Sequence, residues 1–315
     1  MVNKLRGDGG PGLERSCRAQ DSGWLRSREL VPGVQLLQAW FAGHGFDTHR
    51  HDTYAIGLTD IGVQAFDYRG VARTSTPGKV VVLHPDEAHD GRAGAPDGFG
   101  YRIVYVAPAR VQAAARAICR RPCALPFVRD PVMVNATLAS AIDAAFRLDP
   151  EPLASDDLIL RLGEALVAAD PSCGVGAAPV RLDGSALARA RQFLDAETTR
   201  VIRSSELEEV TGLTRYDLAR QFRSAFGTSP YRYSLMRRVD FARSQLRRNR
   251  SLADVALAAG FADQAHLSRM FRHAFGLAPA RYRELAADRT PGARSSEILG
   301  NHSGGGEVLP VRCDR

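Results

Sequence analysis

Between residues 24 and 107 the apolar positions come in short runs closed by Gly, Asp and Pro. "YAIGLTDIGVQAFDYRG" and "GKVVVLHPDEAHDG" read as strands and turns, and "FGYRIVYVAP" as a further strand stopping at Pro108. Short strands so spaced predict a small barrel or sandwich. From 109 to 169 the period changes. "ARVQAAARAICR", "VNATLASAIDAAFRL" and "SDDLILRLGEALVAAD" carry helical spacing, with Leu158, Leu162, Ala165 and Leu166 on one stripe. Ser155 reads as the N-cap of the last of these, with Asp156 and Asp157 in its first turn. The Gly- and Pro-rich stretch 170–184 reads as a linker, 185–287 as almost wholly helical, and 1–23 and 288–315 as flexible or disordered tails. The fold class is therefore α+β in two domains: 24–169, strands followed by helices, and 185–287, all helical.

The helical part repeats itself. "LARQFRSAFGTSPYRY" (218–233) and "LSRMFRHAFGLAPARY" (267–282) coincide at ten of sixteen positions. Each copy is preceded by a shorter amphipathic stretch ending at a glycine, Gly212 or Gly260, and its own helix starts at a capping residue, Thr214 or Asp263. Helix, glycine turn, helix is the helix-turn-helix plan. The copies slip by one residue, six steps from Gly212 to Leu218 against seven from Gly260 to Leu267. Leu218, Phe222 and Phe226 share one face, as do Leu267, Phe271 and Phe275, and both sets should pack inward. The opposite faces carry Arg215, Tyr216, Ala219, Arg220 and Arg223, and Gln264, Ala265, His266, Ser268, Arg269 and Arg272. Arg pairs with guanine and Gln with adenine in a major groove, so Arg215, Tyr216, Arg220, Gln264, His266, Ser268 and Arg269 are candidate base readers. Arg223 and Arg272, nearer the helix ends, are candidate phosphate contacts. Between the copies, Leu235, Val239, Ala242 and Leu246 predict a linking helix buried along one stripe, whose ~30 Å length suits two readers one DNA turn apart.

Charge sharpens this reading. Residues 185–287 hold 18 Arg, no Lys and 10 acidic residues, a surplus of +8, while the rest of the chain sums to −1. A localised basic field attracts a polyanion. The cysteines at 17, 119, 123, 173 and 313 are sparse and odd in number, and form no disulfide framework. No apolar run reaches membrane-spanning length and no secretory signal is visible, so the expected location is cytoplasmic.

The segment 185–287 resembles the AraC/XylS family of transcription regulators. The resemblance is strongest in "GFADQAHLSRMFRHAFGLAPARYR" (260–283). Leu267 stands where many members have Phe, and Ala219 where some have a longer reader. The first half is similar to the family's cupin-like β-barrel, through "HRHDTYAIGLTDIG" (49–62) and "TPGKVVVLHPDEAHDG" (76–91). The resemblance implies a regulator that reads promoter half-sites in double-stranded DNA, is controlled by a small-molecule effector, forms a homodimer and contacts RNA polymerase. Its location would be the nucleoid of a bacterial cytoplasm.

His49 and His51, two apart on a strand, share a face that His89 could join inside a barrel. Three His can ligate a transition metal, but the stretch after His51 has no Glu to complete the set that metal cupins use. The expectation is no metal and no cofactor, with His49, His51, Tyr54 and His89 lining an effector pocket. Tyr54 itself, like Tyr68, Tyr101 and Tyr105, fits core, interface or pocket alike, and His84 reads as structural. The competing enzyme reading is a metal-dependent cupin enzyme fused to a DNA-binding module. No catalytic triad or phosphate-binding loop supports an enzyme.

Overall fold

The computed structural model describes residues 23–119, 123–173, 180–246 and 250–287. The readings of 1–22 and 288–315 as tails lie outside these residues, as does much of the expected linker.

The N-terminal half begins with nine strands: β1 (Gly23–Val31), β2 (Val34–Phe41), β3 (His44–His49), β4 (Tyr54–Gly62), β5 (Gln64–Tyr68), β6 (Val71–Ser75), β7 (Val80–Leu83), β8 (His89–Ala93) and β9 (Phe99–Val106). Helix α1 (Pro108–Cys119) follows, then the two-residue strand β10 (Val132–Met133), α2 (Ala136–Arg147) and α3 (Pro152–Ala169). The strands form two sheets, ordered β1-β2-β9-β4-β7-β10 and β3-β8-β5-β6, with antiparallel pairing throughout.

The middle strands of the larger sheet are buried on both faces, while β1 at its edge is exposed from Gly23 to Glu29. Leu36, Tyr54, Ile56, Val82, Val104 and Val106 face α1, α2 and α3 in one core, while Leu37, Ala55, Val81, Tyr101, Ile103 and Tyr105 face Phe46, Phe66 and Tyr68 of the smaller sheet in another. A strand covered on both sides needs no polar alternation, which is why β4, β7 and β9 read as continuous apolar runs.

Helix α3 starts earlier than the sequence suggested. Its N-cap is Glu151, and Pro152 takes the first-turn position where a missing N–H costs nothing. Ser155 is therefore inside the helix, its hydroxyl donating to the Glu151 carbonyl at 3.1 Å. Asp156 and Asp157 are helix-interior side chains rather than first-turn partners of the dipole.

The C-terminal half is helical: α4 (Gly184–Ala196), α5 (Ser204–Thr211), α6 (Arg215–Phe226), α7 (Pro230–Leu246), α8 (Leu252–Ala258), α9 (Gln264–Phe275) and α10 (Pro279–Ala287). The local signals act as their chemistry dictates. Thr214 and Asp263 cap α6 and α9, accepting from the backbone N–H groups of Asp217 and His266. Gly227 and Gly276 close the same helices in the left-handed conformation. The one-residue slip lies in the turns. Two residues lead from Gly212 to its cap Thr214 and three from Gly260 to Asp263. Gly260 is also sterically required: at φ +71° a Cβ there would sit 2.6 Å from the Thr199 carbonyl oxygen.

Leu218 and Phe222 pack with Leu187, Leu194 and Leu207 into the core of the first unit, and Leu267 and Phe271 with Val239, Leu246 and Val255 into that of the second. Phe226 and Phe275 are only partly buried at the margins of these cores.

A buried cation ties the second unit to the N-terminal half. Arg238 of α7 is 1% exposed. It donates to both carboxylate oxygens of Glu151, at 2.8 and 3.0 Å, and to the backbone carbonyls of Ala259 and Gly260. The Phe261 ring lies 4.4 Å beneath its guanidinium. Removing one partner of such a pair strands the other charge in the interior. Arg238→Ala should lower unfolding free energy by about 3–5 kcal/mol in urea titration; a loss within ~0.5 kcal/mol would mean that the pair does not hold the two halves together.

Candidate nucleic-acid interface

The faces expected to read DNA are not open. Helix α6 lies with its reading side in a groove between α1 and α3. Tyr216 is 4% and Ala219 5% exposed, and both belong to the core that α1, α2 and α3 build on the large sheet. Burial pushes the Tyr216 phenol up to about 12. Arg220 donates to the Ala117 carbonyl at 3.0 Å, in the last turn of α1 where the helix dipole favours a cation. Arg223 donates to Asp157 at 2.6 Å and to Glu164 at 3.0 Å. Arg215 is held by Glu208 of its own unit at 2.8 Å and stands 3.7 Å from Asp156. Asp156 is itself buried and accepts from the Ser204 hydroxyl of α5.

Helix α9 is engaged at one end. His266 is buried against Phe261, with ring centroids 5.1 Å apart, and its Nε2 is 3.2 Å from Asp149. Burial lowers its pKa, and Asp149 opposes that shift. Arg269 donates to the other Asp149 oxygen at 2.9 Å. Gln264 and Arg272 are exposed and Ser268 half-buried. Of the expected DNA contacts, Arg215, Tyr216, Arg220, Arg223, His266 and Arg269 thus touch the N-terminal half. The acidic residues of this contact, Asp149, Asp156, Asp157 and Glu164 beside these side chains and Glu151 on Arg238, are not anticipated as a group. The available signal was five carboxylates within sixteen positions, Asp157 and Glu164 seven apart on one helix face.

Inside the barrel, His49, His51 and His89 do come together. Ring centroids are 4.4 Å (His49–His89), 4.8 Å (His51–His89) and 6.2 Å (His49–His51). Each Nδ1 meets a backbone carbonyl two residues away, of Asp47, Thr53 and Glu87, at 2.8–3.0 Å. A carbonyl only accepts, so Nδ1 carries the hydrogen, and in the neutral ring Nε2 keeps its lone pair. The Nε2 atoms of His49 and His51 are buried without a hydrogen-bond partner. Among the described residues no group of His, Cys, Asp or Glu has the arrangement to hold a metal ion.

Tyr54 does not join this cluster. It points to the helix-covered face, 1% exposed, and donates its hydroxyl to the Pro126 carbonyl at 2.9 Å. Pairing sets Ala55 opposite Tyr105, so alternation turns Tyr105 inward and Tyr54 outward. Tyr105 takes the expected place, its ring centroid 5.3 Å from that of His51. His84 is structural. Its Nε2 accepts the Val128 amide at 3.0 Å, leaving Nδ1–H for the Tyr68 hydroxyl oxygen at 2.8 Å.

Two sheets enclosing polar rings, followed by a duplicated helix-turn-helix, define a two-part regulator with a ligand-binding half and a DNA-binding half. The family model described as the AraC-like ligand binding domain matches residues 31–162, and that of a helix-turn-helix domain matches 207–285, about two thirds of the chain together. The chain belongs to the AraC family of transcription regulators and is a DNA-binding regulator under small-molecule control. A curated relative, the HTH-type transcriptional regulator YbfI of Bacillus subtilis (strain 168), is 25% identical over 252 residues, 77% of this chain and 89% of that one. Among solved structures, an AraC-type regulator of Chromobacterium violaceum is 29% identical over 34% of this chain and 95% of that one, with a TM-score of 0.31. An apo ToxT variant from Vibrio cholerae strain SCE256 is 14% identical over 82% of this chain and 99% of that one, with a TM-score of 0.35. Among the described residues no helix is long and apolar enough to cross a membrane.

The buried histidines make stability depend on pH. Burial first, with Arg69 adding, lowers His84 to about 4; burial first, with His51 and His49 adding, lowers His89 to about 3. Below about pH 6.5 the unfolded chain binds protons that the folded chain refuses. Stability should therefore be full above that pH and fall as pH drops, by about 2 kcal/mol per histidine at about pH 5. Thermal unfolding at about pH 7 and about pH 5 checks this, and His89→Gln should flatten the slope. An unchanged midpoint over that window would contradict the neutral assignment.

Proposed function

We propose that α6 and α9 each enter one of two successive major-groove segments, with Arg215, Tyr216, Arg220, Gln264, His266, Ser268 and Arg269 as base readers and Arg223 and Arg272 on phosphates. The observation that carries this reading is the identity of construction. Both helices are twelve residues long, capped by a side chain at the start and closed by a left-handed glycine. Both keep their Leu and Phe inward, and so present the opposite face outward from their own unit. Helix α7, seventeen residues or ~26 Å long, separates them as a rigid spacer.

The effector site on this reading is the barrel interior at His49, His51, His89 and Tyr105. Unpartnered Nε2 lone pairs there ask for a ligand that donates from O–H or N–H groups. A homodimer on paired half-sites, contact with RNA polymerase and a place on the bacterial nucleoid belong to the same reading, and family membership is their support.

Selection of full-length protein on a random duplex pool tests the DNA reading. The retained sequences should contain two short boxes about one helical turn apart. Arg220→Ala should relax one box and Arg269→Ala the other, at a cost of about 1–3 kcal/mol each. A pool with no common motif, bound with salt dependence alone, would reduce the repeat to a nonspecific basic surface.

A further inference from the structure

The reading faces have a partner in this structure, and that partner is acidic. Asp149 and Glu151 precede α3, Asp156 and Asp157 lie in its first half, and Glu164 sits two turns beyond Asp157 on the same side. Together they meet cations from both units, Arg215 and Arg223 of α6, Arg238 of α7 and Arg269 of α9, and Asp149 also lies beside the buried ring of His266. Carboxylate oxygens offer guanidinium groups the same charge-assisted, forked acceptance that phosphate oxygens do. The match is not charge alone. Tyr216 and Ala219, on the face that would meet base edges, are sealed into the N-terminal core, and Arg220 is fixed to the end of α1.

We propose that residues 149–164 are a binding surface for the chain's own DNA-reading face, an intramolecular stand-in for the DNA backbone. The conformation described here is then a closed state in which α6 cannot enter a groove. DNA and the acidic edge of α3 compete for the same arginines, so apparent DNA affinity is the intrinsic affinity scaled by the fraction of open molecules. This rests on the reading of α6 and α9 as DNA-contacting helices. It adds that the resting chain withholds them, and names the side chains that do so.

The test uses the full-length chain. Asp157→Asn with Glu164→Gln keeps side-chain shape and removes the two charges that hold Arg223, at positions 11% and 36% exposed. A variant of equal net charge, Asp67→Asn with Asp86→Asn, changes exposed acids of the strand region away from α6 and controls for the general attraction of a more basic protein to DNA. Asp149→Asn releases His266 and Arg269 separately and serves if the double variant folds poorly.

Affinity for a site selected by the wild-type chain is measured by fluorescence anisotropy at fixed salt, and the radius of gyration by small-angle scattering without DNA. The expected result is binding at least about 10-fold tighter than both wild type and control, with a larger radius in the free protein. Asp149→Asn should move both readouts the same way by less. Binding no tighter than the control, or an unchanged radius, would overturn the stand-in while leaving α6 and α9 as readers. If no variant retains a specific sequence, the groove reading fails first and the stand-in falls with it.

Discussion

Helix α3 serves two neighbours at once, and the arrangement of the whole chain follows from that. Leu158, Leu162 and Leu166 bury one stripe in the core shared with α1, α2 and the large sheet. Leu153, in its first turn, packs against the core of the first helix-turn-helix unit. The remaining surface carries Asp156, Asp157 and Glu164 toward α5 and α6. An eighteen-residue helix with leucines on one stripe and carboxylates on another is the part of the N-terminal half that can bind both a sheet and a set of arginines. Because its first-turn residue is Pro152, the chain arrives extended, which places Glu151 where Arg238 can reach it and Asp149 beside α9.

What the sequence disclosed was local. The caps Thr214 and Asp263, the turn glycines Gly212 and Gly260 and the inward Leu218, Phe222, Leu267 and Phe271 depend on residues within one or two turns of each other and stand as read, whereas Phe226 and Phe275 are only partly buried. The readings that failed needed knowledge of what lies across a face. Ser155 followed by two aspartates looks like a helix start, yet Pro152 is a stronger one, and those aspartates answer to Arg223 and Arg215 more than fifty positions away. Tyr54 was placed beside the histidines because it follows them in the chain. In a strand buried on both sides nothing in the apolar pattern distinguishes the barrel face from the helix face, and only the pairing of Ala55 with Tyr105 does. The surplus of +8 in 185–287 was plain, but half its meaning was not. The same arginines that suit a polyanion also suit an acidic helix, and composition does not say which one they meet.

The proposed effector site and the core that seats α6 lie on opposite faces of strand β9. Tyr105 packs against His51, while Val104 and Val106, its chain neighbours, point into the core that also holds α1, α3, Tyr216 and Ala219. Pro108 then opens α1, two residues beyond Val106. A ligand that repositions Tyr105 therefore acts on a strand whose opposite face supports the seat of α6. A differential affinity of about 1–3 kcal/mol between two arrangements is ordinary for coupled sites.

The strength of the interdomain contact fits a seat that can be left. Most of its ion pairs are partly exposed: Arg223 with Glu164, Arg269 with Asp149, and Arg215 near Asp156 have at least one side chain about a quarter or more open to solvent. Such pairs contribute roughly 0–1 kcal/mol each and weaken with salt. Tyr216, Ala219, His266, the Asp156–Ser204 contact and the Arg238–Glu151 pair are its deeply buried elements, and they are spread over α5, α6, α7 and α9. Arg238 also donates to the carbonyls of Ala259 and Gly260 within its own unit, so the guanidinium keeps partners if Glu151 withdraws. Glu151, at 9% exposed, regains water on opening. The Tyr216 and Ala219 surface buried in the contact is one that a groove wall can cover instead.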